Sequence, residues 1–342
     1  MKWRAHFNST FFSVWQDCGL PNPSGYATRY DEILSAIDLP DTLVKSATNN
    51  SGPLAEAILQ DVYRFGVFFG HAVGRLLVLP DAEIDRRADW CGCFNLGISL
   101  FDYLIDEAGR AEDLLRWEPF NRLVSGADPV SSYPGANKPL LSAERLLREI
   151  STDVLTRLEI EVGPVDKQQR PDGMWRSFSE MIRAEMLMSQ AELTANPEVA
   201  KLLDTAMIKS AGPFRCMAEW MTLGTSRPGF SRGSAAALGA TIGNCYWLAD
   251  DAKDLWVDLD ARRWNLFLLT AAKTKPNLFG ECFDPAFEVR LSKILLRHGW
   301  VEGIVTPMIE RFQVELTRTP VQPDIRNEVA GMIAVSLERW LR

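Results

Sequence analysis

Apolar residues recur at three- and four-residue steps through almost all of this 342-residue chain, a period that leaves little besides helices for it to fold into. Leu54, Ile58, Val62, Phe65 and Phe69 form one such stripe, and Leu238, Ile242, Cys245 and Ala249 form another. Alternating runs of β-branched residues are scarce, and no Asn-Gly or Asp-Gly turn joins two apolar runs, so a sheet has no support. The breaks are loops rich in Pro and Gly, at 126–139, 163–173, 225–233, 274–285 and 319–324. Segments of roughly 20 to 35 residues lie between them, long for ordinary helices and suited to a large bundle. The expectation is an all-α protein with one large helical domain over 51–342. Residues 1–50 are less periodic and richer in Asn, Ser, Pro and Gly, and are expected to form a peripheral arm or cap.

Composition removes several functional classes. A formal charge of −8 argues against nucleic acid, whose phosphates are bound by displacing counterions with Lys and Arg. It does not argue against a small phosphorylated molecule whose charge is screened by metal ions. Met1 to Phe7 lacks the apolar run of a signal peptide. The most apolar stretch, 65–79, is interrupted by His71 and Arg75 and falls short of the ~20 residues of a membrane span. A cytoplasmic chain with no transmembrane segment is expected. The six cysteines show no disulfide framework and are read as free thiols. His6, His71 and His298 form no HExxH-type pair, and no GxGxxG, P-loop or GxSxG motif is present.

Two acidic constellations stand out against this background. In the first, Asp102 and Asp106 follow the small and apolar run Asn95 to Phe101. Four residues apart, they lie one turn above each other on a helix, where like charges beside a buried stretch are unfavourable unless a cation lies between them. In the second, Asp250, Asp254 and Asp258 continue the i, i+4, i+8 pattern along one face, with Asp251 turned about 100° from Asp250. Rows of carboxylates without His or Cys suit magnesium, which takes oxygen ligands from one or two carboxylates plus substrate phosphates. A single DxxxD is usually a solvated helix face; two rows flanked by apolar helix in one chain are not.

These segments resemble the aspartate-rich motifs of the class I isoprenoid synthase superfamily, which includes trans-prenyl diphosphate synthases and class I terpene synthases. Ser99 to Glu107 looks like the first motif, SLxxDDxxD(E), and Asp250-Asp251-Ala252-Lys253-Asp254 like the second, DDxxD. Lys209-Ser210-Ala211-Gly212-Pro213-Phe214 looks like the KTAxxF element, whose lysine holds diphosphate, and Ser189 to Leu193 is similar to GQxxDL. Order and rough spacing agree over about residues 85 to 270. The resemblance implies a single helical bundle around a deep apolar cavity, with the two acidic helices facing each other across its mouth.

It also implies a site and a reaction. Asp102, Asp106 and Glu107 would hold magnesium from one side and Asp250, Asp254 and Asp258 from the other, three ions in all, with manganese as a substitute. Lys209, Arg263, Lys253 and Arg110 would contact the diphosphate of an allylic isoprenyl substrate. Gln190 would contact the cation or a proton transfer, and Phe94, Phe101 and Trp247 would line the cavity. A homodimer is the usual assembly that the resemblance implies. Two departures matter. Tyr103 stands where the first motif has its second aspartate. The basic Gly-Lys-Arg element that prenyl synthases carry some 40 residues earlier, and that binds isopentenyl diphosphate, was sought in Asn50 to Glu56, which holds no basic residue. The missing basic element ranks a terpene synthase acting on one diphosphate above a prenyltransferase joining an allylic diphosphate to isopentenyl diphosphate or another acceptor.

Overall fold

The stripe that begins at Leu54 closes into a 23-residue helix, α1 (Leu54–Leu76), with Val67, Phe68, Phe69, Ala72 and Val73 fully buried. The computed structural model describes residues 54–106, 198–225, 231–280, 285–297 and 301–341, and isolated positions between 180 and 193; the side chains of 100–106 are outside the description. Residues 1–53, where an arm or cap was expected, lie outside it as well. After α1 come α2 (Asp81–Asp106), α3 (Val199–Met221), α4 (Arg232–Asp260), α5 (Leu266–Thr274), α6 (Pro285–Arg297), α7 (Thr306–Arg318) and α8 (Pro323–Leu341). Every described element is helical, and no strand occurs among the described residues, as the periodicity predicts. No helix among them is long and apolar enough to cross a membrane.

The helix ends follow local rules. At the end of α1 the Leu79 amide donates to the Gly74 carbonyl (3.1 Å) and the Val78 amide to the Arg75 carbonyl (2.9 Å), the two bonds of a Schellman motif. Its left-handed position, which favours glycine, is filled by Val78 at φ 53°. Ser231 caps α4 by accepting from the Ser234 amide (3.1 Å), and Asn265 caps α5 by accepting from Leu268 (3.0 Å).

The order of packing is set by antiparallel neighbours. Asn95 Nδ2 donates to the Val62 carbonyl (2.7 Å) while His71 lies 3.4 Å from Asp85, so α1 and α2 run in opposite directions. Buried Arg87, on α2, donates to the carbonyls of Met221 (2.9 Å) and Leu223 (2.5 Å) at the end of α3, and Cys91 Sγ lies 3.9 Å from the Met217 carbonyl. Thus α2 and α3 are antiparallel too. Next, α3 and α4 meet at Gly239, where a Cβ would stand 2.4 Å from the Phe214 carbonyl oxygen and 2.7 Å from Ala218 Cβ. Tyr246 stacks on Phe214 at 5.4 Å, which fixes that pair as antiparallel.

Two apolar cores share this frame. The first joins α1, α2, the C-terminal half of α3, the N-terminal half of α4, and parts of α7 and α8. The second gathers Trp247, Leu248, Leu255 and Leu259 of α4 with α5, α6 and Ile304. Helix α4 crosses from one to the other, so its aspartates sit where it enters the second core. Cys91, Cys93, Cys216 and Cys245 are buried free thiols, as their spacing predicts. Burial pushes the Cys245 thiol up to about 11 and Cys216 to about 12, so neither is a nucleophile at neutral pH.

Two substitutions test this account in urea titrations. Val78→Gly should stabilise the protein by about 1 kcal/mol, since a β-branched residue gains nothing from a left-handed backbone. Gly239→Ala should destabilise it by about 1–3 kcal/mol by forcing α3 and α4 apart.

Candidate active site

Helix α2 runs antiparallel to α3, and α3 antiparallel to α4, so α2 and α4 point the same way. Cys91, Met217 and Gly239 mark roughly one level across the three helices. At about 1.5 Å per residue, Asp102 stands about 16 Å beyond it on α2, Asp250 about 16 Å beyond it on α4, and Lys209 about 12 Å beyond it on α3. The stretches that bear both acidic motifs and the lysine therefore lie at one end of the bundle. The side chains of Asp102, Phe101 and Asp106, and all of Glu107, Arg110 and Gln190, lie outside the described residues.

On α4 the described carboxylates divide into two lines. Each step of four residues adds about 40° of turn, so the row Asp250, Asp254, Asp258 drifts by about 80°, whereas Asp251 and Asp258 fall within about 20° of each other. Asp251 and Asp258 both face the start of α5. Asp251 Oδ2 accepts from the Leu266 amide (2.5 Å), and Asp258 Oδ2 accepts from Asn265 Nδ2 (3.1 Å). Sequence reading placed Asp258 in a row with Asp250 and gave Asp251 no role. The pattern it could have used is Asn265 before the apolar run Leu266 to Leu269, an N-cap signature that needs a carboxylate nearby for its remaining amides.

Electrostatics at this end are strained. Burial pushes the Asp251 carboxyl up to about 8, offset in part by the Leu266 amide and reinforced by the charges of Asp250 and Asp258. Burial likewise raises Asp258 to about 6, against the Asn265 hydrogen bond, with Asp254 adding repulsion and Arg263 and Lys209 relief. Asp254 is also raised by burial, with Lys253 opposing. The Lys209 ammonium lies 2.5 Å from the carboxylate of Glu185, a buried residue that sequence reading did not single out. No signal in the sequence marks Glu185, which sits in the otherwise apolar face Met181, Ala184, Met188.

Of the other expected contacts, Arg263 is exposed, and its amide donates to the Asp258 carbonyl (2.8 Å). Arg262, beside it, takes φ 55°. Phe94 is buried in the first core, 4.6 Å from the Trp220 ring, and Trp247 is buried in the second. Both rings are thus packed against protein. The deep apolar cavity that the resemblance implies does not appear among the described residues, which do not include the side chains of 100–106.

Among the described residues no group of three or more acidic, His or Cys side chains is arranged to hold a metal ion. The donor chemistry of α4 nonetheless fits a hard divalent cation: every candidate is a carboxylate oxygen, and burial is the main cause that raises Asp251, Asp254 and Asp258, so a bound cation would favour their ionised forms.

The class this architecture defines is the all-α isoprenoid synthase fold. Two solved structures share it along nearly the whole chain. A decaprenyl diphosphate synthase from Rhodobacter capsulatus superposes with a TM-score of 0.60 at 13% identity, covering 97% of this chain and 99% of that one. A geranylgeranyl pyrophosphate synthetase from Pyrococcus horikoshii Ot3 gives 0.58 at 12% identity, covering 96% and 98%. No protein-family model matches the sequence, and comparison with curated proteins finds no match.

The raised carboxyls predict how stability varies with pH in the metal-free protein. Folded Asp251 and Asp258 bind protons more tightly than they do unfolded, so stability is fully present below about pH 4 for these groups and is lost as pH rises through about 6 and about 8. The urea midpoint should fall between pH 5 and pH 8.5. Asp251→Asn should flatten that slope, and a slope unchanged in the variant would refute the assignment.

Proposed function

We propose that the chain is a magnesium-dependent enzyme that ionises an allylic isoprenyl diphosphate and transfers the prenyl group to an acceptor. What supports it best is the bundle itself: two structures that superpose over its length are those of prenyl diphosphate synthases, and the stretches bearing both aspartate motifs and Lys209 lie at one end of it. Enzymatic use of an isoprenoid diphosphate rests on the fold and the motifs together, since likeness of fold alone does not transfer an activity.

Asp250, Asp254 and Asp258 from α4, with Asp102 and Asp106 from α2, would hold the magnesium. Bound there, the metal neutralises charge on the diphosphate as it leaves. Lys209 approaches the same place from α3 and donates to phosphate oxygens, while Lys253 and Arg263 add positive charge beside α4. The C–O bond breaks with its electron pair passing to diphosphate. The allylic carbon is then attacked by the double bond of the acceptor, which loses a proton. Gln190 and the rings of Phe101 and Trp247 remain candidates for contact with the cationic carbon chain.

Cyclisation of a single diphosphate is the second reading, and the run Asn50 to Glu56, which lacks Lys and Arg, favours it. That run lies 46 to 52 residues before Asp102, however, whereas Arg64 on α1 stands 38 residues before it, nearer the spacing of the basic element. The argument from missing positive charge is weaker for that reason.

Purified protein with magnesium and geranyl, farnesyl or geranylgeranyl diphosphate, each with and without isopentenyl diphosphate, separates these readings by mass spectrometry of the products. Longer diphosphates formed only with isopentenyl diphosphate are expected. Hydrocarbon from a single diphosphate would establish cyclisation instead, and no conversion of any would overturn both. Asp102→Asn and Asp254→Asn should each lower turnover at least about 100-fold with little change in melting temperature.

A further inference from the structure

We infer that Glu185 is a positioning residue that holds the Lys209 ammonium in place for a diphosphate; this rests on the reading above. Helical residues Met181, Ala184, Glu185 and Met188 present a buried face, and all but Glu185 are apolar. That face packs closely on α3: a Cβ at Gly212 would stand 3.1 Å from Met181 Cγ. One turn earlier on α3, Lys209 meets Glu185 at 2.5 Å. The Glu185 side chain is 7% exposed and that of Lys209 34%, so the carboxylate is the more deeply buried partner of the pair.

A buried ion pair adds little stability compared with an apolar pair of the same shape, because both charges must first leave water. A leucine at 185 would continue the face laid down by Met181, Ala184 and Met188. The carboxylate is therefore better explained by what it does to Lys209. A lysine side chain has four rotatable bonds, and fixing it when a ligand arrives weakens binding by the entropy lost. Glu185 restrains it beforehand by charge, at 2.5 Å.

The test is binding of inorganic pyrophosphate in excess magnesium, measured by calorimetry on the whole chain, alongside steady-state kinetics. Glu185→Gln, which keeps the size and removes the charge, should raise the Kd about 2- to 10-fold, with a matching rise in KM and a smaller change in kcat. Glu185→Asp, which withdraws the carboxylate by one methylene, should do the same, with both variants checked by circular dichroism. Lys209→Met should weaken binding further, and adding Glu185→Gln to it should have no further effect. Unchanged or tighter binding in Glu185→Gln, or full additivity with Lys209→Met, would overturn the inference alone. Absence of pyrophosphate binding by the wild-type chain would overturn the isoprenoid reading and this inference with it.

Discussion

Close contact of α3 with α4 is the constraint from which the rest of the arrangement follows. At Gly239 the two backbones come within reach of van der Waals contact, and Phe214 of α3 stacks on Tyr246 about two turns further along α4. That register leaves no freedom in where Lys209 falls relative to the aspartates of α4. The same α3 is held from the other side by Arg87 of α2, which takes up the carbonyls of Met221 and Leu223 at the far end. With α3 clamped between them, α2 and α4 are forced into a common direction, and their acidic stretches are carried to one end. Two motifs more than 140 residues apart in the chain are carried to the same end of the bundle by two antiparallel contacts.

Buried charge is treated differently at the two ends. Away from the aspartates, Arg87 is enclosed with Glu83 and two backbone carbonyls, and Glu219 faces both Arg232 (3.1 Å) and Arg215 (3.4 Å). Each is a closed set of partners, as stability requires. On α4 the partners present (the Leu266 amide for Asp251, Asn265 for Asp258) do not outweigh burial, and both carboxyls are raised. Ionising carboxyls buried in this way costs the folded chain, and an arriving cation would offset that cost. Perturbed carboxyls of this kind concentrate where charge has work to do on a ligand.

The fold class was legible because helical period is a property of each segment by itself, and long stripes such as Leu54 to Phe69 declare it without reference to anything distant. The acidic motifs were legible for the same reason: Asp102 and Asp106 advertise a shared face through their spacing alone. Asp258 also accepts from Asn265, a partner that the i, i+8 spacing does not reveal, because the helix turns through about 80° over that distance. Glu185 was invisible for a deeper reason. Its partner, Lys209, lies on another element, and only packing brings them together. Phe94 and Trp247 show the same limit, since an aromatic residue beside a motif can face a ligand or a core, and both turn out to be enclosed by protein.

Val78 apart, several departures from local rules lie near the aspartates. Within α3, Gly212 and Pro213 occupy a helix interior, where each is unfavourable by about 1 and about 3 kcal/mol in model helices. Pro213 has no amide to give the Lys209 carbonyl, so the hydrogen-bond ladder is interrupted at the very residue whose side chain approaches the acidic row. Glu185 breaks an apolar face beside it, Asp251 is buried, and Arg262 adopts φ 55° in the turn that follows α4. A helical bundle chosen for stability alone would have alanine, leucine and asparagine or glycine at these positions. Their presence near one another supports the proposal that this region of the fold is maintained for chemistry at the expense of local preference.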